Sequence, residues 1–122
     1  MMRVAAVALS VAVAPAGHAA PVPALQNCGY GAAQIKPTGL LLYCGDAGAG
    51  MENIVWQRWD SRTAVGSGSL WARVCEPNCA AGRDHRTTAR IVLGGVKNGR
   101  FTTAVIHSAD GTLADAGTFS IG

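Results

Sequence analysis

Short apolar and β-branched runs, separated by turn-forming residues, constrain the fold of this chain most strongly. No segment keeps a period of 3.6 residues over three turns, so the pattern argues against long helices. Strand-like runs occupy 39–44, 53–59, 64–74, 87–96, 101–108 and 118–121. They predict an all-β domain, specifically a small antiparallel β-sandwich stapled by disulfides. An Ig-like architecture is one form of it, although no cysteine follows Cys79 on a late strand.

Three local signals refine the strand order. Asn98-Gly99 is the strongest short-range hairpin signal and predicts that 87–96 and 101–108 are paired. Asp110-Gly111 predicts a second hairpin that leads to the last run. Gly66 and Gly68 lie within 64–74 and predict a bulge or the close approach of another backbone.

The N-terminal residues follow the order of a secretory signal peptide. A basic start at Arg3 precedes an apolar run over 4–14, and Gly17-His18-Ala19 offers small residues for cleavage. The run is shorter than the ~20 residues that span a bilayer. We expect a signal peptide at 1–19, a flexible lead-in at 20–32 and one domain at 33–122. The protein would then be secreted or associated with the cell envelope, without stable membrane insertion.

Four cysteines follow the predicted cleavage point: Cys28, Cys44, Cys75 and Cys79. An even number in a small exported chain indicates a disulfide framework. Four cysteines allow three pairings, and Cys28–Cys44 with Cys75–Cys79 is favoured because Glu76-Pro77-Asn78 resembles a tight turn. A crossed pairing stays open. The spacing lacks the two close cysteine pairs of a zinc ribbon, so we expect no metal.

Aromatic residues provide the candidate contact surface. Trp56 and Trp59 are three positions apart, so an extended strand would place them on opposite faces. We expect Trp56 inside and Trp59 partly exposed, where Trp59 and Trp71 could stack on a sugar or anchor a protein. Asp46, in a glycine-rich loop, is the third candidate contact. Only Glu52 adds a nearby carboxylate, so an Asx-turn is favoured over a calcium site.

Charge and motif content exclude several classes of function. The chain has 10 Lys and Arg against 7 Asp and Glu, too near balance for a nucleic-acid-binding protein. Gly66-Ser67-Gly68-Ser69 does not have the spacing of a nucleophile elbow, and no phosphate-binding loop is present. We expect a monomer without enzymatic activity or cofactor. A small secreted hydrolase is one alternative, and it would need His85 or His107 beside a carboxylate.

Several motifs in the middle of the chain occur in a fixed order. They are Leu40-Leu41-Leu42-Tyr43-Cys44-Gly45-Asp46, the Trp56/Trp59 pair, Ala64-Val65-Gly66-Ser67-Gly68 and Cys75-Glu76-Pro77-Asn78-Cys79. Together they resemble a family of small exported actinobacterial proteins without an assigned activity. The resemblance implies export and a shared fold. We expect a non-catalytic domain that contacts an exported protein or an envelope glycan. A second alternative is an enzyme inhibitor that uses the Cys75–Cys79 turn.

Overall fold

The computed structural model describes residues 21–122, and the predicted signal peptide at 1–19 lies outside them. Six strands form one sheet in chain order, and every neighbouring pair is antiparallel. Their bounds are β1 Leu40–Leu41, β2 Ala49–Trp59, β3 Ala64–Val74, β4 Arg83–Gly94, β5 Thr103–Ser108 and β6 Thr118–Ser120. Two short 3-10 turns lie at Asn27–Gly29 and Ala114–Ala116.

The sheet is curled into a half-barrel. The prediction of an antiparallel all-β domain is confirmed, but the two-sheet sandwich is not, because the described strands belong to one sheet. In β2 the pairing register shifts between Glu52 and Val55 and again between Trp56 and Arg58. Bulges of this kind bend a strand and increase its twist, so they help one sheet to curl around its own core.

The core fills the concave inner face of the half-barrel. Alternate residues of the strands point inward, as the period of two requires. The fully buried members include Ala49, Ala64, Leu70, Ile91, Leu93, Phe101, Ala104 and Ile121. The opposite, outer face of the sheet is therefore left to the alternate set of side chains.

Part of the predicted flexible lead-in packs against the sheet: residues 23–28 are buried or half-buried, whereas 21–22 and 29–32 are exposed. Leu25 is 1% exposed and belongs to the core cluster. Ala24 exchanges backbone hydrogen bonds with Gly99 and Phe101, and Leu25 exchanges two with Gln34. Because the two edge strands are short, this segment supplies apolar cover that a longer sheet would have provided.

Strand bounds differ from the prediction mainly where glycine or charge dominates. β3 has the predicted bounds, whereas β2 begins at Ala49 instead of residue 53 and β4 begins at Arg83 instead of residue 87. The Asn98-Gly99 hairpin is confirmed: the two residues have φ of 51° and 75°, and their neighbours Lys97 and Arg100 are hydrogen-bonded to each other.

Within residues 21–122 no helix is long and apolar enough to cross a membrane.

Candidate functional site

Both favoured disulfides are present. Cys28–Cys44 has a Cα–Cα distance of 5.3 Å, and Cys75–Cys79 closes the β3–β4 hairpin. No cysteine among the described residues is free, so these residues hold no thiol nucleophile. Two disulfides in a small domain are typical of proteins that fold in an oxidising, extracellular environment.

The expectation that Trp56 and Trp59 face opposite sides is wrong. The register shift after Trp56 restores both indoles to one side, where they meet edge to face with ring centroids 4.9 Å apart. Trp59 also packs edge to face on Phe101 at 5.2 Å. The Trp59 indole N–H donates to the Pro23 carbonyl at 2.8 Å. Trp59 therefore closes the edge of the core and is a poor candidate for a contact residue.

The other two predicted contact residues lie apart from Trp59. Asp46 forms the expected Asx-turn, since its Oδ1 accepts the Gly48 N–H at 2.9 Å. Trp71 lies opposite Gly50 in the register and is half-buried, and a Cβ placed on Gly50 would be 2.8 Å from its ring. Gly50 thus leaves the space that the Trp71 indole occupies. Trp59, Trp71 and Asp46 do not form one surface.

A shallow trough of about 570 Å³ crosses the outer face of the sheet. Its floor follows one register row through β3, β4 and β5, formed by Gly68, Ala89 and Ser108. The trough lies between the two adjacent rows. One wall contains Ser69 and Thr88, and the other contains Val55, Ser67, Arg90 and His107. Four strands therefore contribute to one concave surface.

The trough is rich in hydroxyl groups and carries an unpaired positive charge. Arg90 is exposed and forms no ion pair within residues 21–122. No residue lining the trough carries a carboxylate. The nearest carboxylate in the register, Glu52, pairs with Arg86. Val55 is 67% exposed and adds an apolar rim. Sequence reasoning missed this surface, because it depends on which residues lie opposite each other across strands.

One histidine–carboxylate pair is present, but it lies on the surface. His85 Nε2 is 2.7 Å from Asp110 Oδ2, and the two side chains are 45% and 41% exposed. Hydrogen bonds from Thr112 and from His85 lower the pKa of Asp110 to about 2. Ser108 is two residues away in sequence, but its hydroxyl donates to the Thr112 carbonyl at 2.7 Å. The other candidate, His107, lies in the trough without a lining carboxylate.

The β3–β4 hairpin extends beyond its neighbours. The last β2 partner of β3 is Ala72, and the first β5 partner of β4 is Ala89. Beyond these residues the hairpin continues to the Cys75–Cys79 disulfide, and residues 73–81 are all exposed. Asn78 Oδ1 accepts the Ala81 N–H at 2.9 Å, which orders the tip internally.

Comparisons of the chain with protein-family models, with curated proteins and with solved structures find no match. The resemblance to small exported actinobacterial proteins therefore stays a prediction. Among residues 21–122 no group of three or more His, Cys, Asp or Glu side chains is arranged to hold a metal ion.

Proposed function

We propose that this protein is a secreted, non-catalytic binding domain that attaches to a component of the cell envelope through the outer face of its sheet. The trough carries the proposal: it collects hydroxyls, one unpaired guanidinium and an exposed valine from four strands. A binding surface on paired strands is held more firmly than one on loops. The two disulfides support export and an extracellular site of action.

The arrangement of polar groups favours binding over catalysis. Acid–base catalysis needs a base within hydrogen-bonding reach of a nucleophile or a substrate proton. The His85–Asp110 pair lies outside the trough, and its neighbour Ser108 donates its hydroxyl to a backbone carbonyl. The trough itself combines His107 with neutral hydroxyls. Such a set can orient a ligand by hydrogen bonds without transferring protons.

Co-sedimentation with purified cell walls of the producing organism tests the proposal. Ser67→Ile places a bulky, β-compatible side chain in the trough without adding charge. Ser120→Ile makes the same change at an exposed position of β6, outside the trough. We expect the wild type and Ser120→Ile to sediment with the walls and Ser67→Ile to stay in the supernatant. Sedimentation of all three proteins, or of none, would contradict the proposal.

An enzyme inhibitor is the second candidate, favoured by the protruding hairpin. Its disulfide-closed tip is exposed along 73–81 and internally hydrogen-bonded. A segment that is already ordered loses little conformational entropy when it inserts into the cleft of an enzyme. The exposed Glu76 lies within the disulfide loop. This candidate predicts that the protein inhibits an extracellular hydrolase and that Glu76→Arg abolishes the inhibition. Inhibition that is lost in Ser67→Ile instead would assign it to the trough.

A further inference from the structure

We infer that the ligand of the trough is a polysaccharide whose sugars carry carboxylate groups. The inference rests on the proposed function and specifies its ligand. It combines three features of the outer face: an unpaired guanidinium, a lining without carboxylates, and hydroxyls on both walls, Ser69 and Thr88 on one and Ser67 on the other.

Charge is the first argument. Arg86, on the same strand as Arg90, already pairs with Glu52, and Arg73 of β3 pairs with Asp84 at 3.5 Å. Arg90 has no such partner within the described residues and lies in the wall of the trough beside His107 in the register. A guanidinium binds a carboxylate through two parallel hydrogen bonds. One guanidinium also balances one negative charge, which is the charge of a single uronic-acid residue.

The hydroxyls are the second argument, and they favour a glycan over an acidic peptide. An extended peptide gains affinity on a sheet by pairing its backbone with a free strand edge. The trough crosses β3 and β4, which are paired with neighbours on both sides, so their backbone groups are used in the sheet. What faces the ligand is Ser67, Ser69 and Thr88. Each hydroxyl both donates and accepts, as sugar hydroxyls do.

The floor of the trough supports an elongated ligand. Ala89 is 7% exposed and belongs to the core cluster, so its side chain lies on the inner face, and the row of Gly68, Ala89 and Ser108 presents its backbone to the trough between the two walls. The floor continues to Ser108 on β5, so its long direction runs across the strands. Successive sugars of a chain could therefore lie over successive strands, which are about 4.8 Å apart.

Calorimetric titration with a short oligogalacturonate tests the inference. The neutral control ligand is the fully methyl-esterified form of the same sugar chain, and the peptide control is an oligoglutamate of similar charge. The variants are Arg90→Gln, Arg90→Lys and Thr88→Val. Arg62→Gln is the matched control, because Arg62 is exposed in the β2–β3 turn and does not line the trough.

We expect the wild type to bind oligogalacturonate and to bind its methyl ester much more weakly. Arg90→Gln should weaken binding about tenfold or more, and Arg62→Gln by less than about twofold. Arg90→Lys keeps the charge without the planar fork, so an intermediate affinity is expected. Thr88→Val replaces only a hydroxyl with a methyl group and should reduce the affinity a few-fold. Each variant is first compared with the wild type by circular dichroism and thermal unfolding.

Equal binding of oligogalacturonate by wild type and Arg90→Gln would overturn the inference, and so would binding of oligoglutamate as tight as that of the sugar. Failure to bind oligogalacturonate at all, combined with wall sedimentation that Ser67→Ile abolishes, would reject this ligand and keep the proposed function. Wall sedimentation by none of the proteins would reject the proposed function itself.

Discussion

Asn27 and Ile121 are joined by a hydrogen bond that connects the two edges of the half-barrel: Asn27 Nδ2 donates to the Ile121 carbonyl at 3.0 Å. The same carboxamide serves β1, since Nδ2 also donates to the Leu41 carbonyl at 3.0 Å and Oδ1 accepts the Leu41 N–H at 2.6 Å. The neighbouring Cys28 N–H donates to Ile121 as well, at 2.7 Å. One asparagine thus satisfies backbone groups at both edges of the sheet, because β1 and β6 are not paired with each other.

Replacement of Asn27 should therefore loosen the closure. Asn27→Ala removes the side-chain partner of the Leu41 N–H and C=O and leaves the Ile121 carbonyl with only the Cys28 N–H, so we expect a loss of about 2–4 kcal/mol in the free energy of unfolding. Asn27→Asp keeps an acceptor for Leu41 but sets a carboxylate against two carbonyls, so it should destabilise the protein as well. Chemical denaturation measures both. Unfolding midpoints equal to that of the wild type would show that the Asn27 side chain does not contribute to the closure.

Trp59 should affect stability and not binding. Trp59→Ala removes edge-to-face contacts with Trp56 and Phe101 and should cost about 2–4 kcal/mol. Trp59→Phe keeps a ring but loses the N–H hydrogen bond to the Pro23 carbonyl, which should lower the free energy of unfolding by about 1 kcal/mol. Thermal unfolding gives the ranking, and wall sedimentation of the folded fraction gives the second readout. Selective loss of sedimentation in a stable Trp59→Phe protein would restore Trp59 as a contact residue.

Gly68 is required by a close backbone approach beneath the trough. A Cβ at this position would be 2.7 Å from the Glu52 carbonyl oxygen, so Gly68→Ala must displace β2. We expect a destabilisation of about 1–3 kcal/mol. Gly45→Ala is the control, because no atom lies within 4 Å of its added methyl group. Similar unfolding midpoints for the two variants would contradict the packing described here.

The β5–β6 turn should respond to acid through Asp110. Its carboxylate accepts the Thr112 hydroxyl at 2.6 Å, the Thr112 N–H at 2.9 Å and the His85 ring at 2.7 Å. The pKa of Asp110 is lowered from 3.8 to about 2, first by the Thr112 hydroxyl. A lowered pKa stabilises the fold above pH 3.8, and that contribution is lost as the pH falls through about 2.

A carboxyl titration followed by NMR measures this pKa directly. The wild type should show an Asp110 midpoint near 2, and Thr112→Val should move it back toward 3.8, because one donor to the carboxylate is gone. The stability advantage of the wild type over Asp110→Asn should shrink over the same range. A wild-type midpoint near 3.8 would mean that the turn is open in solution.

Local signals in the sequence predicted the local structure well. The bounds of β3, the Asn98-Gly99 hairpin and the disulfide in the Glu76-Pro77-Asn78 turn each depend on residues that are close in the chain. The side on which Trp59 lies was predicted wrongly, because a bulge changes the alternation by one residue and leaves no clear mark in the sequence.

Features that join distant segments could not be predicted from periodicity. Asn27 contacts Ile121 across 94 residues, and nothing next to it in sequence indicates that partner. The trough likewise needs the pairing of Ser67 with Arg90 and of Arg90 with His107. Each residue is an ordinary exposed strand position when taken alone. The register, which is set by the whole sheet, turns them into one surface.

Mapping of backbone amide shifts on titration with solubilised wall fragments locates the contact surface residue by residue. We expect the largest changes at trough residues, namely Ser67, Gly68, Thr88 and Arg90, and little change at residues 73–81 of the hairpin tip. Changes concentrated at the tip, with an unaffected trough, would rule out the trough and assign the contact surface to the disulfide-closed hairpin.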